Sequence, residues 1–195
     1  MKSKKILNNL KENSSVVFLI TLIAVLLTFV IQTYFKKEIS ESFFYITHAV
    51  HVFAFAIICS ALFFKHRKSP IFSLIIGFTG SIILASLSDV IIPLMGGIVF
   101  HLNPSFHLPL IKNTFIILST ALIGSLIGIE TKFEKIPLFI QIILSVFAGL
   151  FYLISFTKIP ESWGFISVTI IVFISALITN CIRDMVFPVI FFKKH

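Results

Sequence analysis

The sequence predicts an all-α polytopic membrane protein, a bundle of about six transmembrane helices. Three observations carry that prediction. Hydrophobic residues make up 57% of the 195-residue chain and charged residues only 12%, with a mean hydropathy of +1.07. Six apolar runs of spanning length alternate with short charged connections. Lysine and arginine then fall unequally on alternate connections. A soluble domain carries about 25% charged residues, so a water-soluble globule is excluded, and so is disorder, which needs low hydrophobicity. The runs lack period-2 alternation, which excludes a transmembrane barrel.

A spanning helix needs about 20 mostly apolar residues. The predicted spans are Ser15–Phe35, Phe43–Phe64, Pro70–Leu94, Ile111–Ile129, Ile136–Phe156 and Trp163–Ile182. Residues 1–14 precede them as a cytoplasmic segment, residues 15–182 form the transmembrane domain, and 183–195 form a cytoplasmic or interfacial tail. The first run exceeds a signal-peptide core in length and lacks an A-x-A cleavage site, so it reads as an uncleaved helix. Short connections (KKEISES, KHRKS, TKFEK, TKIPES) make the helices antiparallel neighbours.

Twelve basic residues lie on the side of both termini and four on the other, which places the termini in the cytoplasm of an inner-membrane protein. Acidic residues split four and four, so the whole net charge of +8 lies on the cytoplasmic side. Anionic lipid accounts for that charge, and the lipid bilayer rather than nucleic acid is the expected partner. Tyr34, Tyr45, Tyr152 and Trp163 fall near the outer ends of their spans and read as an interfacial belt. Cys59 and Cys181 form no disulfide framework or CxxC motif.

The second span carries His48 and His51 in YITHAVHVF, and the i, i+3 spacing puts both imidazoles on one helix face. The third span carries Asp89 in SLSDVIIP at a similar depth below the outer boundary. Ionisable groups inside a span are costly and face protein or water. Gly77, Ser81, Ala85 and Asp89 recur at i+4, a stripe of small side chains that lets helices approach closely. Ala121, Gly124, Ser125 and Gly128 make a matching stripe in the fourth span, a packing surface that would also suit a homo-oligomer.

The long connection Met95–Leu110 is largely apolar where an ordinary loop is polar. Gly96 and Gly97 are expected to break the third span and Asn103-Pro104 to turn the chain. The segment is expected to dip back into the bilayer or lie in its interface, bringing His107, and less so His101, over the site.

Imidazole and carboxylate suit Zn²⁺ and other divalent transition metals. His48, His51, Asp89 and His107 are therefore the candidate ligands, at an outward-facing site for such an ion, with transport as its use. Two alternatives stand beside that reading. One is an intramembrane metal-dependent hydrolase, in which the metal activates water. The other is a non-catalytic membrane subunit whose cluster only locks the bundle. SDVIIPLMGG resembles the D-x-x-T-P-x-G stretch of membrane-bound metal-dependent hydrolases. The histidine expected shortly before the acid is missing, however, and HRKSPIF lacks its second histidine, so no family is assigned. The spans sampled for a route inward, the second and third, offer only Cys59, Ser60, Thr79 and Ser81.

Overall fold

The computed structural model describes residues 2–35, 40–131, 138–159 and 164–182. No strand occurs among them. The helices are α1 (Lys2–Phe35), α2 (Glu41–Arg67), α3 (Pro70–Ser86), a π-helical turn (Leu87–Ile91), α4 (Ile92–Val99), α5 (Pro109–Lys112), α6 (Thr114–Thr131), α7 (Leu138–Phe156) and α8 (Gly164–Cys181). Helix α3, the π turn and α4 run on without a break, so six helical rods are long and apolar enough to cross a membrane. Trp163 and the tail 183–195 lie outside the described residues.

Local chemistry sets the boundaries. Lys65, His66 and Arg67 fill the last turn of α2, where positive charge complements the helix dipole. Lys68 then turns left-handed (φ 50°) and its N–H closes on Phe64 O at 2.8 Å. Ser69 is extended, as a residue before proline must be, and Pro70 opens α3, where its missing N–H costs nothing. Two faces of the bundle follow from this. The basic face carries Lys65–Ser69, and the loop face carries the 100–113 connection.

The apolar core has two halves. Helices α2, α3 and α6 pack around Val52, Phe55, Leu84, Ile117 and Ala121. Helices α1, α7 and α8 pack around Val25, Val146, Leu150, Val168 and Val172, joined by Phe44 of α2 and Val90 of the π turn. Helix α2 is the central one. Its apolar window is 72% buried, against 28% for α1 and for α6.

The small-residue stripes act as packing surfaces. A Cβ on Gly124 would lie 2.7 Å from Phe53 O, and one on Gly128 would lie 2.3 Å from Ile57 O and 2.1 Å from Ser60 Oγ. Helix α6 therefore sits directly on the backbone of α2. Gly77 of α3 faces Ser60 and Ser125 in the same way.

The expected break at Gly96-Gly97 is not there, because α4 continues through both to Val99. Their role is close approach. A Cβ on Gly96 would meet Ile171 at 2.6 Å, and one on Gly97 would meet Pro104 at 3.1 Å. The chain turns later, at His101 (φ 54°) and Asn103 (φ 46°). Residues 101–108 then run non-helical and are strapped to the end of α7. Ser105 N–H donates to Phe156 O at 2.8 Å, and Lys158 N–H donates to Leu102 O at 2.9 Å. Leu102 is fully buried in the core of α1, α7 and α8, which is why an external connection is apolar.

Gly128→Ala should destabilise the protein by about 1–3 kcal/mol, because Ile57 O, 2.3 Å from the added Cβ, is backbone that cannot rotate away. Gly149→Ala, whose Cβ would find its neighbours at an ordinary 3.5 Å or more, should be nearly neutral. Thermal unfolding of both variants in the same detergent checks the contrast.

Candidate functional site

His48, His51 and Asp89 meet at the seam between the two halves of the core. All three are fully buried. The π turn brings Asp89 to α2, and the i, i+3 spacing presents both imidazoles to one carboxylate. His48 Nδ1 lies 2.9 Å from Asp89 Oδ2, and His51 Nδ1 lies 2.9 Å from both Oδ1 and Oδ2. The Ser88 hydroxyl also donates to Oδ1. An ionised carboxylate only accepts, so each facing Nδ1 carries its hydrogen, and in the neutral imidazole each Nε2 then presents a lone pair.

Those Nε2 atoms are the unusual feature. Both are buried and neither has a hydrogen-bond partner among the described residues. A buried polar group left unpaired costs about 1–3 kcal/mol, and two of them on adjacent turns of one helix need a reason. Aromatic rings wall the group. The Phe55 ring lies 4.5 Å from that of His51, and the Phe44 ring lies 5.8 Å from that of His48. Among the described residues no lysine or arginine pairs with Asp89.

The geometry of the π turn explains how Asp89 reaches this position. Ile92 N–H bonds to Leu87 O, five residues back. At that spacing the donor for Ser88 O would be residue 93, and Pro93 has no N–H. The Ser175 hydroxyl of α8 donates to Ser88 O instead. Gly149 of α7 leaves room on the other side, since a Cβ there would lie 3.7 Å from Ser88 O. Single π turns recur at functional sites because the extra residue re-aims a side chain. Here one proline and one serine from two segments hold the turn.

His107 stands apart from the three. Its ring stacks on Phe156 at 4.1 Å, and its Nδ1 lies 3.3 Å from Ser105 Oγ. Phe156 in turn meets Phe44, whose ring meets His48. Two phenyl rings therefore separate His107 from the buried group in a chain of ring contacts at its loop-face end. Tyr152 belongs to this cap rather than to an interfacial belt. It is fully buried and its hydroxyl donates to Ser105 O at 3.0 Å. Tyr34, by contrast, is 79% exposed. His101 is exposed at a left-handed turn, and His66 lies in the basic last turn of α2.

Sequence reasoning missed Ser175 and Gly149. Nothing local marks either residue, since both matter only because α7 and α8 flank the π turn. Pro93, four residues after an intramembrane acid, was the available signal for an irregular turn.

Ser175→Ala should cost about 1–3 kcal/mol by orphaning Ser88 O. Pro93→Ala supplies an N–H near that carbonyl, so in a double-mutant cycle it should reduce the cost of losing Ser175. Chemical or thermal unfolding of the two single variants and the double variant reads the coupling. Compared with protein-family models, curated proteins and solved structures, the chain shows no match.

Proposed function

We propose that this six-helix membrane protein binds a divalent transition-metal ion through His48 Nε2 and His51 Nε2 and carries it across the bilayer. One observation supports this reading above the others. Two buried imidazoles spend their Nδ1 sides on a single carboxylate and keep unpartnered Nε2 atoms. Histidines that bind metal characteristically donate the other ring N–H to a carboxylate, which fixes the tautomer and raises the basicity of the ligand. Asp89 then acts as the orienting group behind the ligands and as a negative charge that favours a cation. Imidazole suits zinc and its neighbours in the first transition row.

Two imidazole donors, with water in the remaining positions, make an exchangeable site. Structural zinc, held by four closed protein ligands, is the contrasting case. Among the described residues no group of three or more His, Cys, Asp or Glu side chains is arranged to hold a metal. Exchangeability is what a carrier needs and a structural centre does not. His107, outside the two phenyl rings, is placed to hand the ion over at the loop face. By the distribution of basic residues, the basic face is cytoplasmic and the His–Asp–His group lies nearer the outer side.

A second reading has its own observation. Asp89 ties α2 to the π turn and Ser88 ties that turn to α8, so the group would also lock the bundle of a non-catalytic subunit.

Elemental mass spectrometry on the detergent-purified protein distinguishes the two. Metal binding predicts about one equivalent of Zn²⁺, Mn²⁺ or Fe²⁺ after supplementation, lost in His48→Ala/His51→Ala and weakened about 10–100-fold in Asp89→Asn. No bound metal in the wild type after supplementation would sink the proposal and leave the lock.

A further inference from the structure

The second and third spans offer a thin polar route away from the site, but the fifth and sixth offer a better one. Ser88 O provides the reference level, because it accepts from Ser175 of α8 and faces Gly149 of α7. These two helices are antiparallel. One turn towards the basic face is therefore four residues back in α7 and four residues on in α8. Those positions are Ser145 and Thr179, each on the same helix face as its predecessor. Another turn along α7 gives Gln141. All of them are buried, with exposures of 1% for Ser175 and Thr179, 3% for Ser145 and 5% for Gln141.

Hydroxyls bonded to their own helix are common packing elements, and Thr179 is one of these, donating to Ser175 O at 2.8 Å. Ser145 is different. Its Oγ is buried and has no hydrogen-bond partner among the described residues, although a serine in a helix can reach the carbonyl four residues back. It therefore stands as a further unsatisfied group, one helical turn from Gly149 towards the basic face. On the loop-face side, the same face of α7 continues into Tyr152 and Phe156, which cap the site.

We propose that Ser175, Thr179, Ser145 and Gln141 form the inner leg of the permeation route, passing the metal ion from the His–Asp–His group towards the basic face between α7 and α8. The proposal rests on the metal-binding reading above. Hydroxyl and amide oxygens replace part of the ion's water shell, and none of the four carries a charge that would trap it.

The test uses the full chain in proteoliposomes, with Zn²⁺ added outside and a zinc-sensitive dye inside. Bound zinc is measured in parallel on the same preparations in detergent. In Ser145→Ala/Thr179→Val the bound zinc should match the wild type, while flux falls at least about tenfold, the rate equivalent of losing a hydrogen-bonding partner at the barrier. Ser145→Thr/Thr179→Ser keeps both hydroxyls and should retain flux. Undiminished flux in the hydroxyl-free pair overturns the route, as does equal loss in the hydroxyl-keeping pair. A wild type that binds zinc and carries no flux overturns the route and leaves the binding site standing. A wild type that binds no zinc overturns both.

Discussion

A carboxylate inside a bilayer has no water to accept from, and the structure is organised around meeting that demand for Asp89. Three donors reach it, two from α2 and one from its own neighbour Ser88. Removing one of them leaves a buried carboxylate with fewer donors and no water to replace the loss. The arrangement also fixes more than one helix. Asp89 faces α2 from within a turn that carries an extra residue. That turn exposes Ser88 O, which Ser175 must then satisfy. The polar requirement of one side chain thus sets the relative positions of α2, the π turn and α8.

Apolar packing supplies the rest, through close approach rather than large side chains. Lipid tails are as apolar as leucine, so helices in a bilayer gain little from hydrophobic burial and associate by contact and hydrogen bonding. Gly124 and Gly128 place α6 on the backbone of α2, while Gly96 seats α4 against Ile171. The two halves of the core meet where α2 and the π turn touch. On the proposed reading, a group that exchanges an ion would lie better at such a seam than within either half, because a small relative movement opens a seam without disturbing a core.

Much of this was legible in the sequence, and what was not has physical reasons. Length and hydropathy are sufficient for the spans, since a bilayer fixes the thickness to be crossed. The pairing of His48 and His51 with Asp89 followed from helical spacing on one span and matching depth on the next. Close glycine contacts were legible as stripes in α3 and α6, but Gly96-Gly97 read as a break because a glycine pair looks alike whether it turns a chain or admits Ile171. The burial of Tyr152 was hidden because an interfacial anchor and a loop clamp occupy the same depth. Ser175, Ser145 and Gly149 were out of reach for a more general reason. Their importance depends on which helices are neighbours across the bundle, and connection length specifies only consecutive neighbours.

The central claim is that Asp89 holds both imidazoles by Nδ1–H and so leaves both Nε2 atoms as bare acceptors. Nitrogen-15 NMR of the histidine-labelled protein, with His48→Gln and His51→Gln variants for assignment, tests it most directly. The account predicts that His48 and His51 both resonate as the Nδ1-protonated tautomer, with unprotonated Nε2, and that added Zn²⁺ shifts the Nε2 signals first. Finding hydrogen on Nε2 of either residue, with its Nδ1 unprotonated, would contradict it.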